Sequence, residues 1–394
     1  MAMVACGKLV NGCPIRILVR QLYQRVLSLD QVGKNKRKDM KHSPILLALA
    51  VLLTACSTTA SSDEQSAYKP LPRELNAEFT QAFDSVFYEV NAIPGCNLHS
   101  LMVIQDGKII YERYGMGHNV SELHIMWSAT KTFTATAVGF ALQDGLLSLD
   151  TPVVRYLQDE LPETLDPYME KMTLDHLLKM SSGWKADIIT NRIKGGEQFD
   201  PVQACLTSPF THEPGTHWRY NNMDTYLAGV VVQKLTGKTL EAYLREKLLT
   251  PLGVDTLCYE VDSRGFNTGA WGMHVTTETL AKLGLFMLQK GNWEGAQLLD
   301  SAWLDKAMTV KIIQYSDVLN SDPRTDGNQL SDWKSGYCYQ SWACHIPGSV
   351  RADGMWGQYS IVLPDKNAVV AMTTICSDRE AQLNAVWKHV YPHL

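Results

Sequence analysis

The sequence is poor in the signatures that settle a function at a glance. It has no Cys-x-x-Cys pair, which gives a redox motif or zinc ribbon no support. It has no His-Glu-x-x-His and no His-x-His-x-Asp, so none of its eleven histidines falls into a recognisable zinc set. Gly237-Lys238-Thr239 lacks the upstream glycine of a phosphate-binding loop and reads as a joint between two helices. No Gly-x-Ser-x-Gly is present, which disfavours an α/β-hydrolase. The one long apolar run, Pro44 to Ala55, has 12 residues, short of the roughly 20 a spanning helix needs. No internal repeat, low-complexity tract or linker follows residue 75.

What is present suits a folded body of more than one small domain's length. Of 394 residues, 45 % are apolar and 20 % charged, too apolar for a disordered chain. Residues 1–55 hold nine of the 36 basic residues and two of the 41 acidic ones, which leaves 27 against 39, a net of −12, for the rest. An acidic body repels phosphate backbones, so nucleic acid is not an expected partner.

Met40-Lys41-His42, the apolar stretch Ile45 to Leu53 and then Leu53-Thr54-Ala55-Cys56 have the three ordered regions of an export signal. The last four resemble the bacterial lipobox, in which the cysteine is lipidated and becomes the mature N-terminus. The expectation is a signal peptide over 40–55, lipid attachment at Cys56, a polar tether to residue 75 and a catalytic body over 76–394. The resemblance to bacterial lipoproteins implies an envelope location, and Ser57 after Cys56 favours the outer membrane facing the periplasm. Residues 1–39 precede the signal and read as an extension that is not translated, is removed, or is a basic amphipathic arm.

Six cysteines remain beyond Cys6, Cys13 and Cys56, which permits up to three disulfides in fifteen connectivities. If Cys338 and Cys344 share one strand they lie about 20 Å apart and cannot pair.

Leu98–Ile104 and Ile109–Tyr114 around Asp106-Gly107 read as a hairpin, and Phe133–Leu142 as a buried helix. A mostly helical region follows over about 149–261, including 174–180, 225–235 and 240–249. Strands return at Tyr337–Trp342, Gln358–Leu363 and Ala368–Thr374, before a last helix over Glu380–His389. Strands at both ends with helices between predict an α+β fold, one antiparallel sheet built from both termini with an inserted helical region. If the C-terminal strand runs antiparallel beside the first, Cys376 comes near Cys96, and this topology favours that pairing.

Ser128-Ala-Thr-Lys131 opens the buried helix. Positions i and i+3 share a helix face, so the lysine amine can reach the serine hydroxyl. A desolvated lysine loses its proton more readily and can act as a base. Ser-x-x-Lys occurs four times, at Ser66, Ser128, Ser182 and Ser331, and only Ser128 begins a buried helix. A plain N-cap serine is the competing reading. Tyr220-Asn221-Asn222 is the single Tyr-x-Asn, placed before a helix after Glu213-Pro214-Gly215. A tyrosine beside a lysine can shuttle a proton, and an asparagine amide can orient the lysine and a substrate carbonyl.

Ser128-x-x-Lys131, Tyr220-x-Asn222, His176 to Gly183, Pro214-Gly215, Leu149 to Val153, Pro251 to Val254 and Trp271-Gly272-Met273 together resemble the serine β-lactamase/penicillin-binding-protein superfamily over about residues 80–390. The branch resembled is the class C-like serine hydrolases, which include family VIII carboxylesterases and 6-aminohexanoate-dimer hydrolases. The resemblance implies Ser128 as nucleophile, Lys131 and Tyr220 as proton carriers, Asn222 as positioning group, and the Ser128 and Gln358 backbone N–H groups as oxyanion hole. The third motif of the family corresponds to Met355-Trp356-Gly357, where Met355 replaces a cationic or imidazole residue. That departure weighs against β-lactam and peptidoglycan substrates. Trp184, Trp356 and Gly357 are the expected substrate contacts. Arg351 and Asp353 read better as a structural ion pair.

The sequence therefore predicts an envelope-anchored serine hydrolase of small esters or amides, working through an acyl-enzyme without metal or cofactor. A low-molecular-mass penicillin-binding protein or β-lactamase is the nearer alternative. A catalytically idle ligand-binding lipoprotein is the more distant one. Specificity is assigned to the loops 186–210 and 312–333, which carry no readable code.

Overall fold

The computed structural model describes residues 68–312 and 332–394. The expected signal peptide over 40–55, Cys56, the expected tether up to residue 67 and nearly all of the 312–333 loop lie outside the described residues.

Helix α1 (Ala77–Ala92) leads into β1 (Asn97–Gln105) and β2 (Lys108–Tyr114). They join through Asp106 and Gly107, both at positive φ (51° and 77°), the backbone a two-residue hairpin turn requires. β3 (His124–Ile125) and one 3₁₀ turn over Trp127–Ala129 precede α2 (Thr130–Gln143). Short helices over Pro167–Lys171, Leu174–Leu178, Thr190–Lys194 and Pro201–Leu206 carry the chain to α3 (Asn222–Thr236). β4 (Cys258–Tyr259) and β5 (Met273–Val275) join β3 in a small antiparallel sheet. After α4 (Thr277–Leu288) come the ribbon β6 (Asn292–Trp293) and β7 (Ala296–Gln297), then α5 (Ser301–Met308). The chain closes with β8 (Trp342–Ala343), β9 (Val350–Asp353), β10 (Tyr359–Leu363), β11 (Ala368–Ile375) and α6 (Arg379–His389).

The main sheet has the order β2-β1-β11-β10-β9-β8, with every pairing antiparallel. The expected α+β sheet drawn from both termini is what forms, and β11 lies beside β1 in the expected direction. Alternation along the central strands divides the core in two. Met102, Ile104, Val369 and Ala371 face the layer that holds α2 and α4, whereas Leu101, Val103, Val370 and Met372 face α1 and α6. A sheet covered on both faces needs apolar residues at consecutive positions, which Val369-Val370 supplies.

Helix α2 is buried along almost its whole length, including its threonines. Their hydroxyls are satisfied locally: Thr132 donates to Gln340 O at 2.9 Å and Thr134 to Gly269 O at 2.7 Å. The expected pairing of Cys96 with Cys376 is present, with Cα atoms 4.1 Å apart, while Cys205, Cys258, Cys338 and Cys344 are thiols.

Two expectations are corrected. Residues 337–341 are not a strand. Gln340 sits at φ 60° and reverses the chain, so that Tyr337 bridges Trp342 and only Trp342–Ala343 joins the sheet. Cys338 and Cys344 therefore do not lie along one extended strand. The structure adds helices α1, α4 and α5 to the elements that the sequence pattern predicts. The alternating strands gave no indication of which segments would cover them.

Candidate active site

The 3₁₀ turn Trp127–Ala129 presents Ser128 at the head of α2, with Trp127 held at φ 46°, a left-handed backbone that costs a non-glycine residue energy. β5 braces the turn: Met126 N donates to Met273 O at 2.8 Å. That contact explains why Trp271-Gly272-Met273 accompanies the serine motif.

One helical turn on, Lys131 is 1 % exposed. Its Nζ lies 3.4 Å from Ser128 Oγ, and donates to Asn222 Oδ1 and Ala270 O, both at 2.6 Å. Burial draws the amine from 10.5 down to about 7, and Lys194 pushes the same way, against the opposing pull of Asp187 and Asp224. The group is thus poised between base and acid near neutral pH.

Asn222 is the first residue of α3, whose N-cap Asn221 accepts from Met223 N at 3.0 Å. The Asn222 amide nitrogen donates to Asp187 Oδ2 and Thr190 Oγ1, both at 3.1 Å. With the amide nitrogen so engaged, its oxygen must face Lys131. Tyr220, two residues earlier, has its ring centroid 5.2 Å from Lys131 Nζ. Desolvation raises the phenol's pKa, so Tyr220 stays protonated at neutral pH. Ser128, Lys131, Tyr220 and Asn222 thus come together from two separate stretches of chain.

The strand side is also close. A Cβ on Gly354 would fall 2.6 Å from Met126 O, so the 354–358 turn abuts the residue that precedes the Trp127–Ala129 turn. Gly357, at φ 94°, backs onto Gln382 and Thr374, and a Cβ there would fall 1.9 Å from Gln382 Oε1. The Gln358 side chain donates to Thr374 O at 2.6 Å. That bond anchors the segment whose backbone is the expected second oxyanion donor. Trp356 is half-buried, and Met355 is 51 % exposed.

Trp184 requires correction. It is 1 % exposed and packs in the main core against Phe210, with ring centroids 6.1 Å apart, because the Trp184–Phe210 bridge turns it inward. It does not wall a substrate pocket. Arg351 and Asp353 form the expected structural pair, fully buried at 2.8 Å.

The residues that sequence reasoning missed lie around this centre. Asp187 sits inside the loop assigned to specificity, and no spacing pattern marks it. The Ala270 carbonyl immediately precedes Trp271-Gly272-Met273, but backbone groups leave no trace in a sequence. Trp218, Tyr337 and Trp342 close an aromatic box on Tyr220, whose ring stacks on Trp342 at 5.7 Å.

A serine with a buried lysine one turn away and a tyrosine–asparagine pair opposite has the make-up of a serine-hydrolase type of site. The beta-lactamase family model matches residues 83–388, and the chain belongs to that family. The 6-aminohexanoate-dimer hydrolase of Paenarthrobacter ureafaciens is 21 % identical over 72 % of this chain and 74 % of its own length. An Escherichia coli K12 protein, provisionally described as a D-alanyl-D-alanine carboxypeptidase, is 24 % identical over 56 % of each chain, so this chain spans little more than half of that relative. The octameric penicillin-binding protein homologue from Pyrococcus abyssi superposes with a TM-score of 0.59 at 21 % identity, over 78 % of this chain and 76 % of its own. These likenesses establish a β-lactamase/transpeptidase-like fold and a hydrolase family.

Proposed function

We propose that this protein is an envelope-anchored serine hydrolase that cleaves small esters or amides through an acyl-enzyme on Ser128. The observation that carries the reading is the Lys131 amine, 3.4 Å from Ser128 Oγ and with its pKa drawn down to about 7. A neutral Lys131 takes the Ser128 proton as the hydroxyl oxygen attacks the carbonyl carbon. The backbone N–H groups of Ser128 and Gln358 hold the oxyanion, and the protonated Tyr220 phenol donates to the leaving group. Water then releases the acyl group. Once the leaving group has departed, the Lys131 ammonium returns a proton to the Tyr220 phenolate, whose raised pKa favours the protonated form, and the neutral Lys131 then takes a proton from the attacking water.

Small esters and amides are favoured over β-lactams and peptidoglycan stems because Met355 offers no charge for a substrate carboxylate. The likeness to a relative named 6-aminohexanoate-dimer hydrolase supports the amide part of that reading. The envelope anchor rests on the lipobox ending in Cys56.

The test is a hydrolysis panel of p-nitrophenyl acetate and butyrate, linear amides and nitrocefin, run beside Ser128→Ala. Turnover of esters or amides that the variant loses by several orders of magnitude supports the reading. Unchanged turnover in the variant refutes it, and nitrocefin as the best substrate favours the β-lactamase alternative. Intact mass of the mature protein, with a diacylated Cys56 as its first residue, tests the anchor.

A further inference from the structure

Three histidines far apart in sequence meet beside the catalytic turn, and nothing in the hydrolytic chemistry uses them. His99 belongs to β1, His118 to the loop after β2, and His124 to β3. His99 is the extra residue of a β-bulge on the β11 side: Leu98 pairs with Thr374 and Ser100 with Thr373, so no β11 residue stands opposite His99. A bulge bends its strand and re-aims a side chain, and bulges collect at functional places. Gly115 makes the approach of the next loop possible, since a Cβ there would lie 2.4 Å from Leu98 O, and its N–H donates to His99 O at 2.8 Å. The loop then lays His118 on His99, with ring centroids 3.9 Å apart.

The nitrogens converge. His99 Nδ1 and His124 Nδ1 are 3.4 Å apart, and one ring nitrogen of each of the three lies within 4.8 Å of the other two. Two nitrogens each about 2.05 Å from a tetrahedral ion stand roughly 3.3 Å apart, so the first pair already has a ligand spacing, and the third needs a small ring rotation. His118 Nδ1 lies 2.7 Å from Glu122 Oε2. A proton on that nitrogen is donated to the carboxylate, which leaves the lone pair on Nε2. A carboxylate behind a ligating histidine is the usual way its tautomer is fixed.

We infer that His99, His118 and His124 bind one late first-row divalent transition metal of the zinc type, with Glu122 orienting His118 as a positioning residue. Imidazole nitrogen suits such ions, whereas calcium and magnesium want oxygen. The site is structural in character: it ties β1, the 115–123 loop and β3 together four residues ahead of Ser128. It is independent of the hydrolase reading, and its test does not use turnover.

The full-length protein, purified without a polyhistidine tag and stripped with a chelator, is titrated calorimetrically with Zn²⁺. Co²⁺ is added in parallel to report ligand field by visible absorption. Saturable binding of about one ion per chain is expected, with the d–d bands of nitrogen-ligated Co²⁺ and a rise in Tm that EDTA reverses. Glu122→Gln should weaken Zn²⁺ binding about 10- to 100-fold with the fold intact, as a ligand-orienting carboxylate does. His118→Gln, a change at a half-buried loop position, should abolish the Co²⁺ bands while the fold stays intact. No saturable binding, or equal Zn²⁺ affinity and equal spectra in the wild type and His118→Gln, would overturn the assignment.

Discussion

Lys131 couples the proposed chemistry to the stability of the whole domain, which makes it the sharpest place to test. Its amine is buried and its pKa falls from 10.5 in the free side chain to about 7 in the folded protein. Between those values the unfolded chain binds a proton that the native state does not. Stability therefore rises with pH across that window by about 1.36 kcal/mol per unit. The favourable condition is complete above the unfolded value and is lost as the pH falls towards 7, below which the full cost of burying the ammonium is present. From pH 6 to pH 9 the wild type should gain about 2.6 kcal/mol relative to Lys131→Met. Constant losses in the variant, such as the partners vacated at Asn222 Oδ1 and Ala270 O, cancel when the two pH values are compared. Urea denaturation of both proteins at each pH measures the difference. In the same experiment series, kcat/KM of the wild type should fall below about pH 7 with a single protonation. A stability difference that stays constant within about 0.5 kcal/mol, or a rate limb well away from neutrality, would show that Lys131 is not the desolvated base described above.

Other perturbations follow from the same contacts. Tyr220→Phe should lower kcat by about 10²- to 10³-fold with little change in Tm, because it removes the donated proton but keeps the ring against Trp342; steady-state kinetics and a thermal melt check both halves. Asp187→Asn removes a carboxylate that raises the Lys131 pKa, so the acid limb of kcat/KM should move to lower pH. A merely structural role for Asp187 would lower the rate without moving that limb. Cys96→Ser opens a loop with a sequence separation of 280 residues and should lower stability by up to ~5 kcal/mol, read as a fall in the urea midpoint under non-reducing conditions. Gly357→Ala places a methyl group against Gln382 and Thr374 at a left-handed backbone position, so a loss of roughly 2 kcal/mol or more is expected by the same denaturation assay.

Local chemistry and periodicity determined much of this protein. The Asp106-Gly107 turn and the gathering of strands at the two ends of the chain pointed to one antiparallel sheet, and with it favoured the meeting of Cys96 and Cys376. The tetrad Ser128 to Lys131 at the head of a buried helix and the single Tyr-x-Asn named four members of the candidate centre, because an i, i+3 pair and a helix-opening asparagine are properties of neighbours. Only tertiary structure decided which groups those four would face. Asp187 reaches Asn222 from a loop with no pattern, the Ala270 carbonyl is invisible as a residue type, and Trp184 turned inward because a bridge to Phe210 left it no other side. The three histidines make the same point. Their spacing along the chain matches no metal motif, and a bulge in β1 with a glycine opposite sets their rings together. Contacts across long loops depend on where the backbone returns, and that is fixed by the packing of the whole core.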